Sequence, residues 1–398
     1  MNTVLIVSRD LRFPEVTGGT DKLAFAYAES LDKTCFDVTF VARGNPKFAS
    51  SVTTYETCLS LEPVSRYQLL YFAKVAVVSG FMALVASGLA RRKRFDLIHV
   101  NSNIAAIICR LLMRKSILIY TVNDQLYEYD DRNSVFTNFA RFIINGLLEI
   151  IASNLTDAVI AVSPVIKAQL VKAGIPPTKI TVMSPISQFK ENGASLATIS
   201  STFQDRVKYI LSVGDQNGRK RFDLLIKAMR FLSDDYHLVL VGDGPENDSL
   251  RRLVIELGLS DRVLTLSHLS SAELSMWYRK ASLYAIVSER EGMPTTIVEA
   301  LFSGTRVLYV LPKYAANLRD YFGCQPFMEI SDSLEPSEIG KLIFESISKY
   351  PANEELRNST VSWAHSKFAS FESLGDALKI LYLKLVSNRR DSIRTSKN

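Results

Sequence analysis

Apolar runs of strand length alternate with amphipathic segments twice along this chain, and one polar stretch separates the two series. In the first series, residues 2–8, 36–42, 52–59, 95–100, 116–122, 158–163 and 179–184 read as strands. Helical periodicity marks 103–113, 134–156 and 164–173, and an earlier segment has its apolar positions at Leu23, Ala24, Tyr27, Ala28 and Leu31. The second series places strands at 207–213, 236–241, 262–267, 283–287 and 305–310, with helices at 222–232 and 271–281. Amphipathic helices at 335–350, 353–367 and 371–385 close the chain. Alternation of this kind builds a parallel sheet covered by helices on both faces, so each series predicts an α/β domain. Residues 185–201, rich in Ser, Asn, Gly and Gln, read as the connector. Residues 388–398, with Arg389, Arg390, Arg394 and Lys397, read as a disordered polar tail.

The most hydrophobic stretch runs from Leu69 to Ala90, interrupted by Lys74, Gly80 and Gly88 and followed by Arg91, Arg92, Lys93 and Arg94. Its length approaches the ~20 residues that a helix needs to span a bilayer. The alternation, however, requires a helix here to reach the strand at 95–100. An internal or membrane-facing helix of the first domain is therefore expected. The basic cluster beside it would sit on an anionic membrane surface, each cation contributing about 1 kcal/mol.

A chain of 398 residues exceeds one ordinary core, and 47% hydrophobic with 22% charged residues is the balance of an ordered globular protein. The net charge of +6 calls for an anionic partner. Nucleotide diphosphate, acidic lipid and nucleic acid all satisfy charge alone. Cys35, Cys58, Cys109 and Cys324 are scattered without a C-x-x-C pair and read as reduced thiols of a cytosolic protein. His99, His237, His268 and His365 show no ligand spacing, so neither an obligatory metal nor a cofactor is expected. The amino terminus lacks a basic n-region, and residues 4–7 are too short for the apolar core of a secretory leader, so the mature chain is expected to begin at Met1.

In the second series the strand at 283–287 leads through Glu291, Gly292, Met293, Pro294 and Thr295 into a segment apolar at Ile297, Val298, Ala300, Leu301 and Phe302. Pro294 is expected just inside a helix start, where its missing N–H costs nothing, and Gly304 just past the helix end. Glu291 then stands in the loop and Glu299 on the helix, eight positions on. One carboxylate can face the mouth of the loop while the other reaches up behind it. This arrangement resembles the signature of glycosyltransferase family 4, in which two glutamates flank seven residues. The Glu-Gly-x-Pro opening and the small-residue close at Gly304 carry the same resemblance. It implies the GT-B fold, two Rossmann-like αβα domains facing across a cleft, and sugar transfer with retention.

Further motifs occur in the family's order. Gly18 and Gly19, between the first strand and its helix, allow main-chain amides to approach a phosphate closely. The resemblance places this loop over the donor diphosphate and the acceptor. Arg219, Lys220 and Arg221 stand in succession at a strand-to-helix turn and suit a diphosphate, whose charge grows as it leaves. Lys220 matches the family's lysine. Gly242 opens a Gly-x-Gly-Pro-Glu turn similar to the one that closes the family's nucleotide pocket, and the G-x-G-x-x-G spacing of a dinucleotide fold is missing. His268 ends the strand at 262–267, where main-chain groups can meet the nucleobase. Asn123 and Asp124, at the carboxyl end of the strand at 116–122, fall on the acceptor side. No D-x-D triplet occurs, and the other main glycosyltransferase architecture depends on one to hold a metal-bound diphosphate. The chain departs from the family pattern in four places: Asn123 replaces a histidine, Asp215 an arginine, Pro185 with Ile186 an Asn-Gly turn, and Lys313 to Asn317 a glycine pair and a glutamate.

The resemblance implies that Lys220, with Arg219 or Arg221, holds the donor diphosphate. Glu299 would accept the ribose hydroxyls, and Glu291, with the main chain of Gly292 to Thr295, would grip the sugar. Expected boundaries are an acceptor-binding domain at 1–190, a nucleotide-sugar-binding domain at 191–370, and a segment at 371–398 whose helix crosses back to the first domain. The expected enzyme is a metal-independent glycosyltransferase of cell-surface polysaccharide synthesis. It would take a nucleotide sugar and a glycan or lipid-linked acceptor, with no nucleic acid as partner. Its expected place is the cytoplasm, with peripheral attachment to the inner face of the plasma membrane. A catalytically degenerate relative that binds nucleotide sugar or a partner subunit is the alternative, and an epimerase or phosphorylase on the same fold is a third.

Overall fold

The apolar runs pair side by side in two parallel sheets, seven strands in the first and six in the second. The computed structural model describes residues 1–12, 19–43, 53–57, 68–124, 126, 135–184, 206–267, 269–288, 294–310, 326–368 and 371–395. The expected connector at 185–201 lies outside these. The chain divides into two compact units, Met1–Ile186 with Ala369–Asn398, and Ser187–Phe368.

The first sheet contains β1 (Asn2–Arg12), β2 (Phe36–Arg43), β3 (Thr53–Thr57), β4 (Leu97–Val100), β5 (Ile117–Val122), β6 (Ala158–Ala161) and β7 (Ile180–Val182). Their spatial order is 3-2-1-4-5-6-7. Val4 to Val7 are buried between β2 and β4, which explains their unbroken apolar character. The helices are α1 (Gly19–Ser30), α2 (Gln68–Arg92), α3 (Asn103–Leu112), α4 (Val135–Phe142), α5 (Leu148–Leu155) and α6 (Pro164–Lys172). Right-handed crossovers send α1 to one face of the sheet and α2, α3 and α5 to the other. In agreement, α2 packs on α3 and α3 on α5.

The hydrophobic stretch at 69–90 forms α2, which buries Val78, Met82, Ala83 and Ala86 and packs on β1 and α3. Among the described residues no helix is long and apolar enough to cross a membrane. The single helix expected over 134–156 is interrupted by a π-helical turn, Ile143–Leu147. There the Asn103 side-chain amide donates to the Ile144 carbonyl (2.8 Å) and to the Glu149 carboxylate (2.8 Å), which also accepts from the Tyr120 hydroxyl. A neighbouring donor inserted into the helical ladder is a common cause of such a turn.

The second sheet contains β8 (Lys208–Val213), β9 (Tyr236–Val241), β10 (Val263–Leu266), β11 (Leu283–Val287), β12 (Val307–Val310) and β13 (Met328–Ser331), in the order 10-9-8-11-12-13. Its helices are α7 (Phe222–Ala228), α8 (Asn247–Glu256), α9 (Ser271–Lys280), α10 (Thr295–Phe302), α11 (Pro336–Lys349) and α12 (Glu354–Lys367). Two of these elements leave little trace in the apolar pattern. In α8 only Leu250 and Val254 are buried, and in β13 only Met328. The helix expected over 222–232 ends at Ala228 and tightens into a 3-10 turn, Met229–Phe231.

The last helix, α13 (Phe371–Thr395), returns to the first unit. It continues through most of the segment read as a disordered tail, which corrects that expectation. Arg389 donates to the Lys115 carbonyl (3.2 Å) and Arg390 to the Asn2 side chain (3.3 Å), so these two basic residues have partners on the first sheet's rim. Further up, α13 meets α1 closely at Gly375, where a methyl group would lie 2.2 Å from the Ser30 carbonyl oxygen. Leu374, Leu378, Tyr382 and Val386 form its buried face. The Tyr382 hydroxyl lies 2.6 Å from Nδ1 of His99 on β4, whose Nε2 lies 2.6 Å from the Thr121 hydroxyl on β5. Tyr27 of α1 stacks on the same imidazole at 5.0 Å. Burial lowers the His99 pKa to about 3, so the ring is neutral in the fold.

The pH dependence of stability follows from that imidazole. Its folded pKa lies below the unfolded value of 6.5, so the unfolded chain binds more protons between those limits. Stability should therefore fall as pH drops from about 6.5 towards about 3, and His99→Gln should flatten that slope. Tyr382→Phe leaves a buried ring nitrogen without its partner and should cost about 1–3 kcal/mol at neutral pH. Urea denaturation of the three proteins at neutral and mildly acid pH measures both effects.

Candidate active site

Strand order locates the site in the second unit. From β8 the chain steps outward through β9 and β10, then returns to place β11 on the other side of β8 and continues away through β12 to β13. Loops leaving the carboxyl ends of β8 and β11 therefore part from each other, and ligands of open α/β sheets bind in the crevice this creates. The first loop carries Gly214 to Arg221, and the second leads to α10 with Glu299. Topology thus brings the two halves of the predicted donor site to one edge. Tyr284 of β11 fastens the strands there by donating to the Val213 carbonyl (3.3 Å).

The loop after β8 is held by the turn after β9. Gly214 N–H donates to the Val241 carbonyl (3.0 Å), Gln216 N–H to that of Asp243 (2.8 Å), and Glu246 N–H to that of Gln216 (2.9 Å). The buried Gln216 side chain adds a bond to the Gly242 carbonyl (2.8 Å). So close an apposition requires glycine at 242, where φ is 135° and a methyl group would stand 2.1 Å from the Gly214 carbonyl oxygen. Gly242 is therefore fixed by packing between two loops, a role the sequence reading did not give it.

Lys220 ends a 3-10 turn, Gly218–Lys220, and folds its side chain over the end of β8. Its Cε and Nζ lie 3.3 and 3.5 Å from where a methyl on Gly214 would be. Bare glycine backbone at this point gives the ammonium its seat. Arg221 adopts left-handed backbone (φ 44°), and its guanidinium forks onto Asp223 at 3.0 and 3.3 Å in the first turn of α7. Of the three successive cations, Arg221 is thus engaged in the helix start. Arg219 is half-buried and Asp215 exposed.

On the second loop, Pro294 caps α10 from outside, one position before the expected placing, and Thr295 opens the helix. Glu299 is 2% exposed, and its carboxylate accepts from the Tyr278 hydroxyl of α9 (3.1 Å). Burial and then the adjoining Glu299 charge hold Tyr278 well above the usual tyrosine range, so it remains an O–H donor. Sequence reasoning missed Tyr278, which lies on the apolar face of α9 with Leu274 and Trp277 and carries no motif. Gly18, His268, Glu291, Gly292 and Met293 lie outside the described residues, and Gly19 is the first residue of α1. Asn123 and Asp124 follow β5 in the first unit, where the Asn123 amide donates to the carbonyls of Thr121 (3.1 Å) and Asn101 (3.4 Å). Among the described residues no group of three or more His, Cys, Asp or Glu is placed to hold a metal ion.

Comparison with known proteins adds to this geometry. Two family models match the chain, Glycosyltransferase Family 4 over residues 17–185 and Glycosyl transferases group 1 over residues 198–312. An uncharacterized glycosyltransferase of Haemophilus influenzae is 33% identical over 104 residues, 25% of this chain and 29% of that one. The N-acetylgalactosamine-N,N'-diacetylbacillosaminyl-diphospho-undecaprenol 4-alpha-N-acetylgalactosaminyltransferase of Campylobacter jejuni is 28% identical over 180 residues, 44% of this chain and 46% of its own. The chain thus spans less than half the length of these two relatives. Amylovoran biosynthesis glycosyltransferase AmsD of Erwinia amylovora is 22% identical over 357 residues, 88% of this chain and 92% of its own. Among solved structures, sucrose-phosphate synthase of Thermosynechococcus elongatus matches with a TM-score of 0.79 and 17% identity, covering 98% of this chain and 100% of that one. HepE of Anabaena, in complex with UDP and glucose, matches at 0.69 and 18% identity, covering 96% of this chain and 99% of its own. At such identities the likeness establishes the fold, the GT-B arrangement of two Rossmann-like domains.

The contact between the two loops makes a direct test. Gly242→Ala should destabilise the second unit by about 1–3 kcal/mol, the range for forcing a methyl into packed structure. Gly218→Ala, whose added methyl meets nothing within 4 Å, is the control and should change stability far less. Chemical denaturation of both variants decides it.

Proposed function

Because the chain belongs to glycosyltransferase family 4, we propose that it transfers a sugar, with retention of configuration, from a nucleotide-diphosphate donor to a glycan or lipid-linked acceptor. The observation that carries the proposal is that neighbouring strands β8 and β11 lead, from the same sheet edge, to an ammonium seated on Gly214 and to a helix with a buried carboxylate. Relatives support the same reading. The HepE structure holds UDP and glucose, the Campylobacter enzyme is named for an undecaprenol-linked acceptor, and the Erwinia enzyme for a polysaccharide.

In this mechanism Lys220, with Arg219, faces the donor diphosphate and neutralises charge as the bond to the sugar breaks. The positive end of α10 adds to that field. With charge supplied this way, the reaction needs no obligatory metal. Glu299, oriented by Tyr278, accepts the two ribose hydroxyls, and Glu291 steadies the sugar as its anomeric carbon becomes cationic. The acceptor hydroxyl, on the side of Asn123 and Asp124, forms the new carbon–oxygen bond on the face that the diphosphate leaves. Its proton passes to a diphosphate oxygen. The work is done in the cytoplasm, at the inner face of the membrane that carries the acceptor. Asp215 raises a second reading, a relative that binds donor without transfer, because an exposed carboxylate beside the turn opposes a diphosphate.

Thermal stabilisation by a panel of uridine and guanosine diphosphate sugars should identify a donor. Lys220→Ala should weaken its binding at least about 30-fold, as expected when one partner of a buried charge pair is removed. Glu291→Ala should keep the thermal shift and slow product formation. Donor binding without product from any glycan or lipid-linked acceptor would favour the second reading, and an absence of binding across the panel would overturn both.

A further inference from the structure

Two nucleophiles, one near each end of the chain, meet on a single carboxylate of the first unit. The turn between α1 and β2 is drawn tight by main chain, because the N–H groups of Cys35 (3.1 Å) and Phe36 (3.0 Å) both donate to the Asp32 carbonyl. The Asp32 side chain folds back over this turn, where its Oδ1 accepts from the Thr34 N–H (2.9 Å) and hydroxyl (2.6 Å). Its other oxygen, Oδ2, accepts from the Cys35 thiol at 3.2 Å and from the Lys379 ammonium of α13 at 2.8 Å. Thiol and ammonium also interact directly. Asp32 and Lys379 are 347 positions apart in sequence, so the fold alone brings these groups together. One turn before Lys379, Gly375 packs against the Ser30 carbonyl, and Leu378 and Tyr382 on either side are fully buried. Lys379 therefore leaves α13 at a fixed point above the turn.

Small solutes can reach this group. The side chains of Lys379 and Asp32 are 35% and 34% exposed, and Cys35 is half-buried. Cys109 of α3 makes the contrast, for burial pushes its thiol up to about 12 and shuts it away from solvent. We propose that peroxide joins Cys35 to Lys379 through a sulfur–nitrogen bond, a reversible covalent clamp of α13 onto the turn after α1. In the first step the Cys35 thiolate attacks hydrogen peroxide, its proton leaving by way of the Asp32 oxygen that already accepts it. A sulfur–oxygen bond forms, the oxygen–oxygen bond breaks, and the released hydroxide takes a proton to become water. Sulfur has given two electrons to peroxide and is left as a sulfenic acid. In the second step the neutral Lys379 amine attacks that sulfur, the sulfur–oxygen bond breaks, and a second water leaves with the amine proton. One thiol, one amine and one peroxide thus give a sulfenamide and two waters. An amine already held beside the sulfur competes well against a second peroxide or a distant thiol. Asp32 raises the Lys379 pKa, first by its hydrogen bond and then by its charge, and Cys35 adds to this. The attacking neutral amine is therefore scarce at neutral pH, and the second step should quicken as pH rises.

Intact mass and peptide mapping of the full chain after treatment with dilute hydrogen peroxide test the clamp. The expected product has lost about 2 Da, yields a peptide pair linked through Cys35 and Lys379, and regains its starting mass with dithiothreitol. Lys379→Arg keeps a cation for Asp32 but offers no amine, so it should stop at the sulfenic or sulfinic acid, about 16 or 32 Da heavier. Cys35→Ser should form no such pair. The clamped protein should melt at a higher temperature than the reduced one, because a link between distant parts of a chain restrains its unfolded state. Melting temperatures of the two variants before oxidation, close to that of the wild type, verify that they are folded. Cys58 and Cys324 lie outside the described residues, and the mapping separates a disulfide with either from the expected link. The clamp is ruled out if the wild type only gains oxygen, if Cys35 pairs with another cysteine, or if peroxide leaves Cys35 unchanged. Equal loss of mass by Lys379→Arg also rules it out.

Discussion

The reversal of strand order across each parallel sheet is the constraint on which this structure turns. Once β9 and β10 have been laid on one side of β8, the next crossover brings β11 to the other side, and a right-handed connection then puts its helix on the opposite face of the sheet. Loops that elsewhere would run side by side must here diverge, and backbone carbonyls and amides at the two strand ends are left facing an opening. Everything chemical in the second unit follows from what stands at that opening. The first sheet reverses in the same way between β1 and β4. Among the described residues, Ser8, Asn101 and Ser102 stand near those strand ends and are buried.

A crevice of this kind is useful only if its walls hold still, and the wall nearest Lys220 is held by main chain rather than by side-chain packing. Three backbone hydrogen bonds and one glutamine amide lace the loop after β8 to the turn after β9, and the glycines allow the two chains to touch. The ammonium then rests on a surface with no side chain beneath it. Glu299 is steadied differently, by a phenol from a neighbouring helix whose pKa burial and the Glu299 charge raise well above the usual range. One side of the site is thus fixed by backbone geometry and the other by a buried hydrogen bond.

Much of this was legible in the sequence, for physical reasons that also explain the failures. Strands buried on both faces announce themselves as unbroken apolar runs, so Val4 to Val7 or Leu283 to Val287 could be read at once. The helix after Pro294 and its end at Gly304 could be read from the special backbone preferences of those residues, with an error of one position at the start. By contrast α8 and β13 bury too few side chains to leave a pattern. The polar residues expected to unravel the chain's end remain helical as far as Thr395, and two of them, Arg389 and Arg390, have partners hundreds of positions away, on Lys115 and Asn2. Within the candidate site, the place of Lys220 in a strand-to-helix turn and of Glu299 on a helix could be read from spacing, whereas the hydroxyl bonded to Glu299 depends on a tertiary contact that no local pattern encodes. The loop with Glu291 lies outside the described residues, so its part rests on the sequence alone.

The return of α13 to the first unit has a consequence for biogenesis. His99 and Tyr382 are separated by 283 positions, yet each is the other's buried partner. While the ribosome is still making the second unit, the first must wait with an uncovered apolar groove beside α1, ready to be bound by a chaperone. Vectorial synthesis therefore finishes the two units out of order: the one translated first is the last to be sealed. A premature stop near the end of the message would accordingly injure the amino-terminal half of the product.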